Sequence, residues 1–398
     1  MTQLDQSAPA TAVDLFGPEV AADPYPVYRA LRDLAPAVHV PAHDVWALTR
    51  YDDVRAASAD WQTYSSASGV ALLDDFNTPF LGTVLTSDPP RHTELRSVLS
   101  EQVSPRGIAK LRRQVAEAVD AIVAEAVTDD AFDGVTDLAQ KVPVRLVGDL
   151  IGVPPEGRER LLPGADAVFT TFGPAGATLQ ERMPVFLDYV EWMQAAATRE
   201  GLAPGSWGAA ILDAVDDGRI EASGAVPLIH AFLVAGLDTT VNALASMLRV
   251  FAEQPHIWEV LKSDPALAGP VFEEVLRTES PVQVFSRVTT RSVRHGDVEL
   301  PAGTRVLLHF AAANRDERHY PDPDRFDVRR NPVDHLAFGY GPHGCAGQAL
   351  ARLEGRCLIE SLLSRVDSFV VDGTPVPHDN PVLRGLESLP LTIRRADG

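Results

Sequence analysis

The chain has 398 residues, 45% of them hydrophobic, 23% charged and 7% aromatic, with a formal net charge of -20. This is the composition of a globular protein with ample apolar material for a core, and it excludes disordered, fibrous and collagen-like classes. The excess of 55 acids over 35 bases argues against nucleic-acid binding and against attachment to anionic membranes by bulk charge.

Residues 1–15 read as a flexible tail and 16–398 as one domain, because no linker-like stretch interrupts them. Pro24-Tyr25-Pro26 opens a helical pattern over Val27–Leu34, and Val38–Val40 with Val45–Leu48 reads as a hairpin. Helical periodicity then dominates to about Thr278, with the clearest segments at Pro90–Ser100, Pro105–Val127, Val142–Ile151, Pro155–Phe172, Leu179–Thr198, Ile211–Asp216 and Val226–Glu253. Strands return at Val293–Glu299, Thr304–Phe310, Ser368–Val371 and Leu391–Ile393, and a last long helix fits Gly347–Val366. The expected fold class is mainly α with small β-sheets (α+β). No run approaches the ~20 apolar residues of a membrane span, since the longest candidate, Gly224–Leu237, contains Pro227 and His230. Met1–Asp14 lacks a basic segment leading into an apolar one, so a cytoplasmic protein is expected.

Two cysteines, Cys345 and Cys357, cannot form a disulfide framework. Cys357 lies inside the last helix and reads as a buried bystander. Cys345 ends the stretch Phe338-Gly339-Tyr340-Gly341-Pro342-His343-Gly344-Cys345, with Ala346 and Gly347 following. Four glycines and a proline in ten residues describe a tight loop that presents the thiol at a helix N-terminus. There, backbone N–H groups and the helix dipole are expected to lower its pKa. Such a thiolate suits a nucleophile, a metal ligand or a redox centre. Zinc fits poorly, because no partner cysteine lies at ligand spacing.

Phe338–Gly347 resembles the haem-binding loop of the cytochrome P-450 superfamily, F-G-x-G-x-H-x-C-x-G, at every fixed position. The resemblance implies a single haem-bearing domain, haem b as cofactor, and Cys345 as the axial thiolate, which donates electron density to the iron. It also implies that Phe338, Gly339 and Ala346 line the cofactor. Other segments carry the same likeness. Glu274 and Arg277 match E-x-x-R, with Arg325 as the third member of a structural ion network. His92 and Arg96, four residues apart, with Arg287, His343 and more loosely His335, match the partners of the haem propionates. Ala235-Gly236-Leu237-Asp238-Thr239-Thr240 resembles the oxygen-binding groove. There Gly236 would let the helix open, and Asp238 and Thr239 would be the catalytic pair that relays protons. A haem-binding sensor would need the thiolate but not that pair, and a cysteine hydrolase would need no haem.

Within the superfamily, Val168–Pro174, Ala235–Asn242, Glu279–Arg287 and Leu383–Pro390 resemble bacterial enzymes that oxidise para-methoxybenzoate and related aryl ethers. That likeness implies a flat pocket walled by Phe169, Phe172, Val282 and Phe285, with Val234 and Ala235 on the distal helix. No Lys or Arg occurs from Ala56 to Pro90, and His230 stands where those enzymes place arginine. An unpaired buried carboxylate costs several kcal/mol. The expected substrate is therefore a small neutral or phenolic aromatic, with Ser66, Ser68 and His230 as hydrogen-bond partners. A para-substituted benzoate or another small hydrophobic molecule, such as a terpenoid, is the alternative. The likeness further implies O2 as co-substrate and an external ferredoxin with its reductase. Arg106, Lys110, Arg112, Arg113, Arg352 and Arg356 read either as a basic docking patch for it or as a solvated helix face.

Overall fold

A computed structural model describes residues 8–396. At its centre runs the 29-residue helix Ala225–Glu253, apolar on nearly every side and buried from Thr240 to Leu248, with Ala235 exposed one turn earlier. A helix hydrophobic all round is stable only inside a core. Its length and composition would suit a membrane span, contrary to the sequence expectation, but here it is enclosed by protein. It packs against Lys141–Ile151, Leu161–Thr170, Ala268–Glu279 and the strand Val366–Val371. Pro105–Ala126 starts at Ser104, whose hydroxyl accepts the Gly107 amide at 3.2 Å, and it lies along Gln348–Leu363. The segment read as one helix over Pro155–Phe172 is shorter. Gly157 adopts φ +99°, and the regular helix begins only at Leu161.

One sheet has five strands in the order Ala37–Val40, Val45–Leu48, Arg305–His309, Val284–Thr289, Tyr64–Ser65. Val45–Leu48 and Arg305–His309 pair in parallel; the other neighbours are antiparallel. This sheet sets Arg287 opposite Val306. The sequence reading missed Val284–Thr289, and it merged the hairpin Val293–His295 and Val298–Leu300, which turns at Gly296 with φ +57°. Near the C-terminus, Val366–Val371, Pro390–Arg395 and Ala131–Asp133 form a second sheet, and Val376–Pro377 with Leu386–Ser388 a short hairpin.

Part of the expected flexible tail, residues 1–7, lies outside the described residues. Residues 8–15 depart from that expectation: Thr11 donates to the His39 carbonyl at 3.0 Å, His39 donates back to Pro9 at 2.8 Å, and Leu15 is buried.

The ion network is built as expected in two of its three members. Glu274 and Arg277 are fully buried and joined by two hydrogen bonds of 2.7 and 2.8 Å, and Arg277 also donates to the carbonyls of Asn314 and Pro323. The third member is Arg330, whose Nε lies 3.0 Å from Glu274. Arg325 is a correction: its side chain is 64% exposed and pairs with Asp327. The chain turns after Phe326 so that the Asp327 amide itself donates to Glu274 at 2.9 Å, which carries the arginine five residues further on to the buried acid. Removing one partner of a buried pair strands the other charge. Glu274→Ala should therefore lose about 3–5 kcal/mol in a denaturant titration, whereas Arg325→Ala should stay within about 0.5 kcal/mol.

Candidate functional site

The cysteine loop is held by its own backbone. Cys345 donates its amide to the Phe338 carbonyl at 2.8 Å, and Gly344 donates to Gly341 at 3.0 Å. Gly339 and Gly341 adopt φ +66° and +70°, where side chains are strained, and a Cβ on Gly341 would come within 2.4 Å of the Ser58 carbonyl. The amides of Gly347 and Gln348, opening the next helix, bond the Cys345 sulfur. The thiol pKa is nevertheless raised: burial outweighs those amides and the charges of Arg96 and Arg352. The expectation of a thiolate prepared by the helix terminus alone is thus corrected, and a cation bound at sulfur is what would complete it.

His335 is also corrected. Its Nε2 lies 3.0 Å from the Glu273 carboxylate and its Nδ1 accepts the Ala337 amide, so it braces the loop from beneath. Glu273 is shared with Arg352, whose guanidinium stacks 4.5 Å from the Phe338 ring centroid.

The four other predicted cationic residues converge. The rings of His92 and His343 sit 4.3 Å apart, and Arg96 donates to the carbonyl of Gly344. The His343 pKa is driven down by burial and then by the charges of Arg287, His92 and Arg96, which places all four groups in one field. Burial lowers Arg287 to about 10; its one hydrogen bond is to the Ser286 carbonyl, and neither arginine reaches a carboxylate within 4 Å among the described residues. The Nε2 atoms of His92 and His343 are buried without a partner. Two buried guanidiniums without a carboxylate, beside two unpartnered imidazole nitrogens, fit a group bearing two carboxylates, as haem does.

On the central helix, the Thr239 hydroxyl donates to the Ala235 carbonyl at 2.7 Å. The helix runs unbroken there. Gly236 instead lets Lys141–Ile151 approach, since an added Cβ would lie 3.3 Å from Val147. Asp238, one residue earlier and so about 100° around the axis, is buried. Its Oδ2 has no partner, and burial lifts its pKa to about 7. Polar atoms of Asp238, Asp166 and His378 lie within 4.8 Å of one another. The sequence reading missed the last two, which come from Leu161–Thr170 and the C-terminal hairpin turn.

The aromatic wall assembles. Ring centroids of Phe169 and Phe172 are 5.9 Å apart and those of Phe172 and Phe285 5.8 Å, in one apolar cluster with Val234 and Val282. Phe80, unpredicted, joins at 5.9 Å from Phe172, and the Leu72 amide ties the preceding loop to the Phe172 carbonyl at 3.1 Å. His230 lies one turn before Val234, against the Tyr189 ring, its Nε2 unpartnered. Ser66 is buried with its hydroxyl unpartnered, whereas Ser68 is exposed and makes no hydrogen bond, so it does not join the cluster. Arg305 reaches the cation-free 56–90 segment from its strand, but Asp74 and the Ser286 hydroxyl hold it. The basic patch is largely self-compensated: Arg352 belongs to Glu273, and Arg112 and Arg356 share Glu360.

A thiol loop, two buried guanidiniums without acids, and an acid beside an alcohol on one core helix fit a haem-thiolate oxygenase. Residues 267–392 match the family model described as Cytochrome P450. The chain is 38% identical to cytochrome p450 CYP199A2 of Rhodopseudomonas palustris, over 99% of this chain and 97% of that one. It is 34% identical to the monooxygenase PikC of Streptomyces venezuelae over the same shares. Epothilone D-bound P450epoK superposes with a TM-score of 0.87 at 26% identity, covering 97% of this chain and 100% of that one. The chain belongs to the cytochrome P450 family. It is a P450 monooxygenase, and members of this family bind haem b through a cysteine thiolate.

Truncating one partner of a desolvated ionic contact costs about 2–5 kcal/mol. Arg287→Leu and Arg96→Leu should each lose haem to a scavenging apoprotein at least tenfold faster than the parent, with thiolate ligation retained. An unchanged loss rate in both would remove these residues from the cofactor cradle.

Proposed function

We propose that this P450 oxidises a small aromatic ether, converting an aryl methyl ether, O2, two electrons and two protons into a phenol, formaldehyde and water. A methoxyphenol is preferred over a methoxybenzoate. The observation that carries this reading is the set of T-shaped rings of Phe169, Phe172 and Phe285 in one apolar cluster with Val234. Burial holds His230 near pKa 4, so it accepts or donates one hydrogen bond but supplies no positive charge. Ser66 offers a second buried hydroxyl. Such a pocket takes a phenol oxygen readily and a carboxylate at a cost of several kcal/mol.

In this reading Cys345 would hold the haem iron, Phe338, Gly339 and Ala346 would line the cofactor, and His92, Arg96, Arg287 and His343 would hold its carboxylates. Haem b so ligated supplies O2 activation and C–H oxidation. The protein excludes water with its aromatic wall, orients the ether with Val234 and Ala235, and moves protons through Asp238 and Thr239. Electrons arrive from an external ferredoxin and reductase, docking near the exposed Arg106 and Lys110, since Arg352, Arg112, Arg356 and Arg113 each lie against an acid.

The test is a spectral titration of the ferric enzyme with para-methoxyphenol, a para-alkyl-methoxybenzene and para-methoxybenzoate. The first two should shift the spin state, the benzoate at least tenfold more weakly, and turnover should release formaldehyde. Tight spin-shifting binding of the benzoate alone would overturn the preference.

A further inference from the structure

We propose that His378 is the proton entry of this enzyme, passing protons to Asp238 and held for that task by Asp166. The inference deepens the proposed function and rests on its reading of Asp238 and Thr239 as the proton-delivering pair.

The arrangement joins three segments far apart in the chain. Asp238 turns away from the Thr239 side of its helix and meets, within 4.8 Å, the polar atoms of Asp166 and His378. Asp166 has both oxygens committed: Oδ1 takes His378 Nε2 at 2.9 Å and Asn380 Nδ2 at 2.8 Å, and Oδ2 lies 2.9 Å from Arg182. It therefore orients the imidazole and is not itself a carrier. Burial opposes its charge, but the bonds from His378 and Asn380 and the charge of Arg182 keep its pKa low. The open valences lie on the other two groups: Asp238 Oδ2 and His378 Nδ1 are both buried without partners.

His378 also sits close to the surface: its side chain is 13% exposed, although Nδ1 itself is covered. Its turn is anchored by its amide on the Gly385 carbonyl at 3.1 Å, while Val376, Pro377 and Asp379 around it are exposed. An imidazole with one nitrogen on a fixed carboxylate and the other free can take a proton from solvent and release one inward. An arginine in the same place would stay charged and could not. Burial depresses the His378 pKa, but the Asp166 bond and the charges of Asp238, Asp166 and Glu387 exceed it, so the net direction is upward. Arg182 faces Asp166, and Asp379 is turned to Thr178. With its pKa raised, His378 keeps its proton to higher pH than a free imidazole and loses it as pH rises through that value. Proton supply to Asp238 then falls on the alkaline side.

His378→Gln retains a hydrogen bond to Asp166 but carries no proton to exchange. Turnover of the ferredoxin-supported holoenzyme should fall about tenfold near neutral pH and lose the alkaline decline of the parent, with the ferrous carbon-monoxide spectrum unchanged. Independently of activity, the His378 ring titration followed by NMR should move to lower pH in both Asp166→Asn and Asp238→Asn. A His378→Gln profile merely scaled down with the parent's pH shape, or a His378 titration indifferent to both acids, overturns the proposal. If Asp238→Asn itself turns over like the parent, the acid–alcohol reading fails as well. If Asp238→Asn is slow and His378→Gln is not, only the entry residue is wrong.

Discussion

Four basic side chains, His92, Arg96, Arg287 and His343, meet in a low-dielectric interior with no acid paired to either arginine. The histidine pKa values are pushed down there, so the charge rests on the two guanidiniums, which destabilise the protein that holds them unless an anion joins them. The fold nevertheless enforces the gathering from three directions. The Arg91–Gln102 helix brings His92 and Arg96, the five-stranded sheet brings Arg287, and the glycine loop brings His343. Each is anchored elsewhere: the loop by His335 and Arg352 on Glu273, the segment before it by Arg330 on Glu274, and Arg287 by its strand register. The stability of those anchors lets the interior keep two guanidiniums without acids, a charge that a bound dicarboxylate would relieve, and it sets Cys345 in the field of Arg96.

The thiol follows the same pattern. Its pKa is raised by burial despite two amides and two guanidinium groups aimed toward it. A lone cysteine at a helix terminus would become a nucleophile with less help. Here the environment is tuned for a bound metal, and the nearby cations and amides moderate how much charge the sulfur donates. The central helix then divides its labour by face. Ala235 and Thr239 stand on one side, joined by a hydrogen bond, and Asp238 lies on the other, against Asp166 and His378 of the C-terminal hairpin turn.

How much of this was legible depended on sequence separation. Cys345, Gly339 and Gly341 announce themselves because a loop that close to other backbone tolerates only glycine, and local spacing encodes it. The acid–alcohol pair is equally local. Arg325 and Arg330 are both arginines in one polar turn, and only the path of the chain after Phe326 decides which reaches Glu274. His335 carries no sign in its own segment that Glu273, 62 residues away, will claim it. Asp166 and His378 are separated by 212 residues and sit in no motif, so their meeting follows from the return of the last hairpin over the Leu161–Thr170 helix. Val284–Thr289 was missed as a strand although it places Arg287, because its mixed Val, Phe, Ser and Arg pattern lacks clean alternation and its partners are remote.

The central claim is that this chain is a haem-thiolate enzyme built on Cys345. The absorbance of the ferrous, carbon-monoxide-bound protein tests it most directly. A Soret band at the strongly red-shifted position of thiolate ligation, lost in Cys345→Ala and kept in Cys357→Ala, is the result the account predicts. A band at the position of nitrogen ligation in the parent, or a thiolate band that survives Cys345→Ala, would contradict it.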